Sequence, residues 1–251
     1  MNDLTPNYLS PSVLIGTLST ITAILFGIHK ALQLAGWPAS ERKRAVWNST
    51  LLLGAWFIAA LVPSWLGFYD RPLFGLPTIQ YGMIIPLIVA VMLFRGSATL
   101  IRVVEAIPQS WLVSVQVYRM EGVIFLVLYA TGYLPGVFAW PAGAGDMLVG
   151  LLAPVVGLAY ARHYRSAAGW VRAWNLLGIA DFVVAVTIGF LSTPGPLQKL
   201  SLDAPNKLIT AFPLAMVPAF IIPLSILLHL ASLTKVRQRQ IERELRDPLL
   251  A

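Results

Sequence analysis

The 26 residues 109-QSWLVSVQVYRMEGVIFLVLYATGYL-134 are apolar around nearly their whole circumference, interrupted near the middle by one arginine and one glutamate. A helix on the surface of a soluble domain keeps a polar face; one that is apolar all round needs apolar surroundings all round. About 20 residues cross a hydrocarbon core about 30 Å thick, so this stretch is long enough to span a bilayer.

Outward from it, six further apolar runs have spanning character, at 12–36, 45–68, 78–94, 142–161, 170–191 and 208–233. The run at 78–94 is the shortest and is expected to continue past Arg95 as a helical extension to Ile107. Of the 251 residues, 57% are hydrophobic and 12% charged, and that charged share is about half that of a soluble domain. A soluble globular enzyme and a disordered chain are thereby excluded, and the lack of cysteine excludes a disulfide scaffold. The expected fold is an all-α polytopic membrane protein. One seven-helix domain occupies 1–233, and a basic juxtamembrane tail over 234–251 carries Glu242 and Arg246 at i,i+4 spacing.

The basic residues test the count. Assigned to alternate ends of seven spans, 14 of the 18 lysines and arginines fall on one side and 3 on the other, with Arg119 inside a span. The positive-inside rule then puts the N-terminus outside and the C-terminus in the cytoplasm. The opening MNDLTPNYLSPS has no basic segment, so the first span is expected to serve as an uncleaved anchor. Trp37, Trp65, Trp111, Trp140 and Trp170 lie near span ends, as an interfacial aromatic belt requires. The net charge of +7 sits beside the spans, which points to anionic lipid headgroups as the partner and not to nucleic acid. The location is a membrane, and in a bacterium the inner one.

Ionisable groups inside a span are costly and mark candidate sites. Arg119 and Glu121 on span four, Asp146 on span five and Asp181 on span six qualify, with Gln116 and Asn175 as polar companions. Gly143, Asp146, Gly150, Ala153 and Gly157 form a seam of small residues at helical spacing, along which another helix can approach closely. A similar stripe of Trp174, Gly178, Asp181, Ala185 and Gly189 turns Asp181 inward. Gln109, Gln116 and Arg119 share one face of span four, and Glu121 lies about 200° around the helix from Arg119. Polar groups on opposite faces make span four a central helix. Arg119 and Asp181 share a depth of about 14 Å from the cytoplasmic entries and are expected to pair. Asp146 is expected in the outer third, either capping the opening turn of span five or meeting a ligand. Glu121 is the carboxyl left without a cation.

Motifs for metal, nucleotide or nucleophilic chemistry are absent, so an enzyme is not favoured and no cofactor or metal is expected. His29 and His229 lie at similar depth and offer a minor haem alternative. The polar cluster suggests a small-solute carrier for an anionic or zwitterionic solute, with Glu121 or Asp146 coupling protons. The alternatives are a sensor, scaffold or assembly factor with a structural polar core, and an intramembrane lipid-modifying enzyme using Asp146. No internal repeat supports a transporter fold. Pro213, Pro218 and Pro223 are expected to bend or unwind span seven.

The charge bias makes a direct prediction. A cysteine placed at Ser166 reacts with an impermeant reagent only from the cytoplasmic side, and one in the 70–76 loop only from outside. Labelling of position 166 from outside alone would refute this orientation.

Overall fold

The computed structural model describes residues 5–246, with side chains to residue 241. The expected Glu242–Arg246 pairing falls outside the described side chains. Seven helices are long and apolar enough to cross a membrane. In order they are α1 (Leu9–Leu34), α2 (Ala39–Trp65), α3 (Ile79–Gly96), a composite fourth span, α7 (Gly136–Ala161), α8 (Ala167–Ser192) and a seventh that ends in α9 (Ile222–Arg246). The composite span consists of α5 (Gln109–Ser114), a 3-10 stretch (Val115–Gly122) and α6 (Val123–Ala130). A short helix, α4 (Ala98–Ala106), lies between α3 and α5. A two-stranded hairpin of β1 (Pro72–Leu73) and β2 (Leu76–Pro77) joins α2 to α3, turning through Phe74 and Gly75, both at positive φ.

Burial ranks the helices. In α7, 44% of the spanning window is buried inside the protein, against 6% in α3. The fourth span packs on α7 along one side and on α1 and α9 along others, which is the central position its two polar faces require. The glycine seam of α7 explains how closely it is held. A Cβ on Gly150 would meet the Met120 backbone nitrogen at 2.7 Å, and one on Gly143 would meet the Gly122 carbonyl at 3.0 Å. Only the hydrogen of glycine leaves room for such backbone contact.

Several expectations are corrected. Span four is not a continuous α-helix: eight residues wind as 3-10 helix, far beyond the usual three or four. At three residues per turn, Glu121 stands about 240° from Arg119, while Gln116, Arg119 and Gly122 align on one buried face. Span five begins at Gly136, six residues before its expected start, because Pro135, itself in extended conformation, stands at its N-terminus and Pro141 is accommodated within the helix. Span seven starts at Val217 rather than 208. The stretch 208–216 holds a 3-10 turn (Leu208–Thr210) followed by hydrogen-bonded turns over 212–215 that lead into the helix at Met216, and it buries Leu214, Ala215 and Met216. From Val217 to Ile221 the chain winds as a π-helix. Pro223 lacks an N–H, which leaves the Ala219 carbonyl without its helical donor; the Trp56 indole supplies one at 3.3 Å.

The helix after Arg95 does not run on. It breaks at Ser97, whose hydroxyl accepts from the Leu100 N–H at 3.2 Å and starts α4 afresh. Farther along the chain, α9 continues unbroken past residue 234, with Lys235 and Val236 buried. The Lys235 ammonium donates to the carbonyls of Val104, Glu105 and Ile107 and so caps the end of α4. Replacing Lys235 with Met removes that cap. Charge-assisted hydrogen bonds are worth about 1.5–3 kcal/mol, so amide exchange over 98–106 is expected to quicken at least tenfold while the other helices stay protected. Unchanged exchange there would show that the lysine does not hold α4.

Candidate functional site

Arg119 is 2% exposed, and its guanidinium is surrounded by three helices. Its Nε donates to Asp146 Oδ1 at 2.7 Å and its Nη2 to Asp181 Oδ2 at 2.5 Å. Nη1 lies 3.4 Å from the Gly178 carbonyl oxygen and 3.0 Å from His229 Nε2. The Phe182 ring covers one face of the guanidinium, 3.9 Å from Cζ. The expected Arg119–Asp181 pair is therefore present, and Asp146 joins it from α7.

That second partner corrects the placement of Asp146. Because α7 begins at Gly136, Asp146 lies ten residues into the helix, about 15 Å at 1.5 Å per residue. It is neither a cap on an opening turn nor in the outer third, and it shares the level of Arg119. A lipid-modifying site built on Asp146 near the outer face loses its geometric basis.

On the far side of Arg119 the network has a direction. Arginine has no acceptor, so the Nε2 of His229 accepts and its Nδ1 carries the proton, donated to Asn175 Oδ1 at 2.8 Å. Asn175 Nδ2 donates to Ser232 Oγ at 2.8 Å, and Gln109 Nε2 donates to the same oxygen at 2.6 Å. The Trp174 ring leans against the His229 ring, tilted by 48° with centroids 4.9 Å apart, and its indole N–H donates to the Val149 carbonyl at 3.0 Å. With both ring nitrogens of His229 engaged, no nitrogen is left for a haem iron, while His29 sits half-buried on α1. The sequence reading missed His229 and Ser232 as partners of the cluster. Ser225, His229 and Ser232 stand four and three residues apart on α9, a polar stripe through an apolar run that signals an inward face.

Gln116 is fully buried, yet neither side-chain atom finds a partner among the described residues. It is not part of the hydrogen-bonded cluster. Glu121 is also apart: it is exposed, with no ion-pair or hydrogen-bond partner among the described residues, and its carboxyl rests against Gly16 of α1 where any Cβ would collide. It faces a cavity of about 210 Å³ between α1, span four, α7 and the π-helical turn. The polar lining comprises Ser12, Thr17, Tyr118, Arg119, Glu121 and Asp146. Tyr118 is already bonded to Ser225 Oγ at 2.6 Å, and the hydroxyls of Ser12 and Thr17 donate to carbonyls of their own helix. With their protons committed, the Ser12 and Thr17 hydroxyls can only accept, and the carboxylate oxygens are the charged acceptors the cavity offers to a guest.

A double-mutant cycle tests the cluster. Arg119→Met leaves two buried carboxylates without their cation and is expected to lower unfolding stability in mixed micelles by about 3–5 kcal/mol; Asp181→Asn, which leaves Arg119 paired with Asp146, is expected to cost less. Because Arg119 holds two aspartates, the double variant recovers only part of the loss, and a second cycle with Asp146→Asn also shows coupling. Additive losses in both cycles would refute the shared ion pair.

Residues 76–237 match the model of a protein family described as a domain of unknown function, DUF8737. No curated protein and no solved structure matches the chain. The matched segment runs from β2 into α9 and includes Arg119, Asp146, Asn175, Asp181 and His229, whereas α1 and α2 precede it. It covers more than half of this seven-helix membrane protein, and the chain belongs to the DUF8737 family.

Proposed function

We propose that the protein is a small-solute carrier whose binding site is the cavity beside Arg119. The observation that carries this reading is the meeting of two broken helices at one polar cavity. The 3-10 stretch of span four supplies Tyr118, Arg119, Glu121 and Gly122, and the π-helical turn supplies Val217 and Ile221. Irregular backbone at membrane depth is tolerated where it lines a cavity or is buried in protein, and transporters place their binding sites at such breaks.

The charge balance selects the guest. Nε, Nη1 and Nη2 of Arg119 all donate to protein groups, so the guanidinium has little left for a solute carboxylate. Asp146, Asp181 and Glu121 outnumber it three to one. A proton, a small ammonium ion or the amine end of a zwitterion fits that surplus, and a simple anion does not. The same saturation of Arg119 favours the second reading, a scaffold whose polar core only fixes helix packing.

Uptake into proteoliposomes separates the two. Small amines and zwitterions are expected to drive a transient current on a solid-supported membrane, with simple carboxylates inert. Glu121→Gln is expected to reduce that current at least tenfold and leave the unfolding midpoint unchanged, since Glu121 holds no hydrogen-bond or ion-pair partner among the described residues. If no solute gives a current, or if the variant carries current equal to wild type, the carrier reading fails and the scaffold stands.

A further inference from the structure

A second cavity, of about 350 Å³, lies between α1 and α5, away from the charged cluster. Phe26, Gly27, Trp111, Leu112, Val115 and Leu228 form most of its wall, and Ser114 is its one polar residue. From Ile107 to Val115 it runs about 12 Å, at 1.5 Å per residue. The groove is elongated and apolar, a form that suits a hydrocarbon chain.

One end is basic. Ile28 packs with Val103, Ala106 and Ile107 where α4 closes against α1, and Lys30 follows half a turn later on α1. The Lys30 ammonium lies 5.9 Å from the centroid of the Phe26 ring, which itself lines the groove. Its one hydrogen bond is a long one, 3.5 Å, to Gln33 Oε1, and no carboxylate lies within ion-pair distance among the described residues. Arg102, on the neighbouring α4, is already engaged with Glu41 at 3.9 Å and with the Trp37 ring at 4.6 Å. Among the described residues Lys30 thus has no ion-pair partner, and it lies at the mouth of the apolar groove.

We propose that this groove is the seat of one anionic glycerophospholipid, with an acyl chain along α5 and the phosphate at Lys30. The site is separate from the solute cavity and does not depend on the carrier reading. A compact amphiphile without a long chain leaves the groove unfilled, and a zwitterionic headgroup sets its own cation against Lys30.

Gly27 gives a clean test, because a Cβ built there meets nothing within 4 Å. Gly27→Phe, or Gly27→Leu should the larger ring disturb the fold, fills the groove from within. The full chain is purified, exchanged into equal mixtures of phosphatidylglycerol and phosphatidylcholine, stripped to its retained lipid and weighed by native mass spectrometry. Wild type is expected to keep one phosphatidylglycerol per chain, at least fivefold over phosphatidylcholine. A folded Gly27 variant loses that lipid, and Lys30→Gln keeps a lipid but loses the headgroup preference. Equal retention of the two lipids by wild type, full retention by a folded Gly27 variant, or a lipid-free dimer joined through this face would overturn the proposal.

Discussion

One guanidinium buried at membrane depth sets the terms for the rest of this protein. An unpaired arginine in hydrocarbon is costly enough that such a residue always finds partners inside the bundle. Arg119 meets that demand with Asp146 from α7, Asp181 from α8, and His229 from α9. Three helices must therefore approach span four at one level. Their crossing points are fixed by an ion-pair network that apolar side chains, interchangeable against lipid, could not specify.

Close approach brings its own constraint on the sequence. Wherever the cluster needs room, a glycine faces it. A Cβ on Gly178 would strike the His229 ring and lie 2.9 Å from Arg119 Nη1, one on Gly145 would strike the Asp181 carboxylate, and one on Gly16 the Glu121 carboxylate. The seam of small residues on α7 thus packs against span four along one side while leaving space for charge on another. The 3-10 winding of span four follows from the same crowding: three residues per turn stack Gln116, Arg119 and Gly122 on one buried face, where α-helical winding would spread them.

Seven spans, the central place of span four, the inward turn of Asp181 and the small-residue seam were all legible in the sequence. Each rests on periodicity or on a strong local cost, and both survive errors of a few residues in helix ends. What depended on exact boundaries was not legible. Asp146 was misplaced because Pro141 reads as a helix start, although in a membrane the backbone continues through proline when neighbours satisfy it. The 3-10 stretch left no mark in the composition of 115–122, since its cause is backbone contact with α7, a tertiary effect. His229 could have been found: a histidine between two serines at helical spacing, on an otherwise apolar α9, has few reasons to face lipid. The contrast between Gln109, bonded to Ser232, and Gln116, bonded to nothing described, could not be anticipated, because the two share a face and a residue type.

The boundary of the family match divides the labour between helices. Everything that neutralises Arg119 lies within 76–237, so that segment contains a self-consistent polar core. The first helix, outside it, supplies none of the hydrogen-bond partners of the guanidinium named above and contributes different things: Gly16 against Glu121, Ser12 and Thr17 in the cavity wall, and one side of the apolar groove. Without α1 the carboxyl of Glu121 would face lipid directly, an environment in which a charged group has no partner and no water. The ion pair therefore organises the bundle, and α1 encloses the space beside it. A cavity lined by an acid without an ion-pair partner among the described residues is stable in a membrane only when both conditions are met, which places the enclosed carboxyl of Glu121 at the contact between α1 and span four, beside the buried arginine.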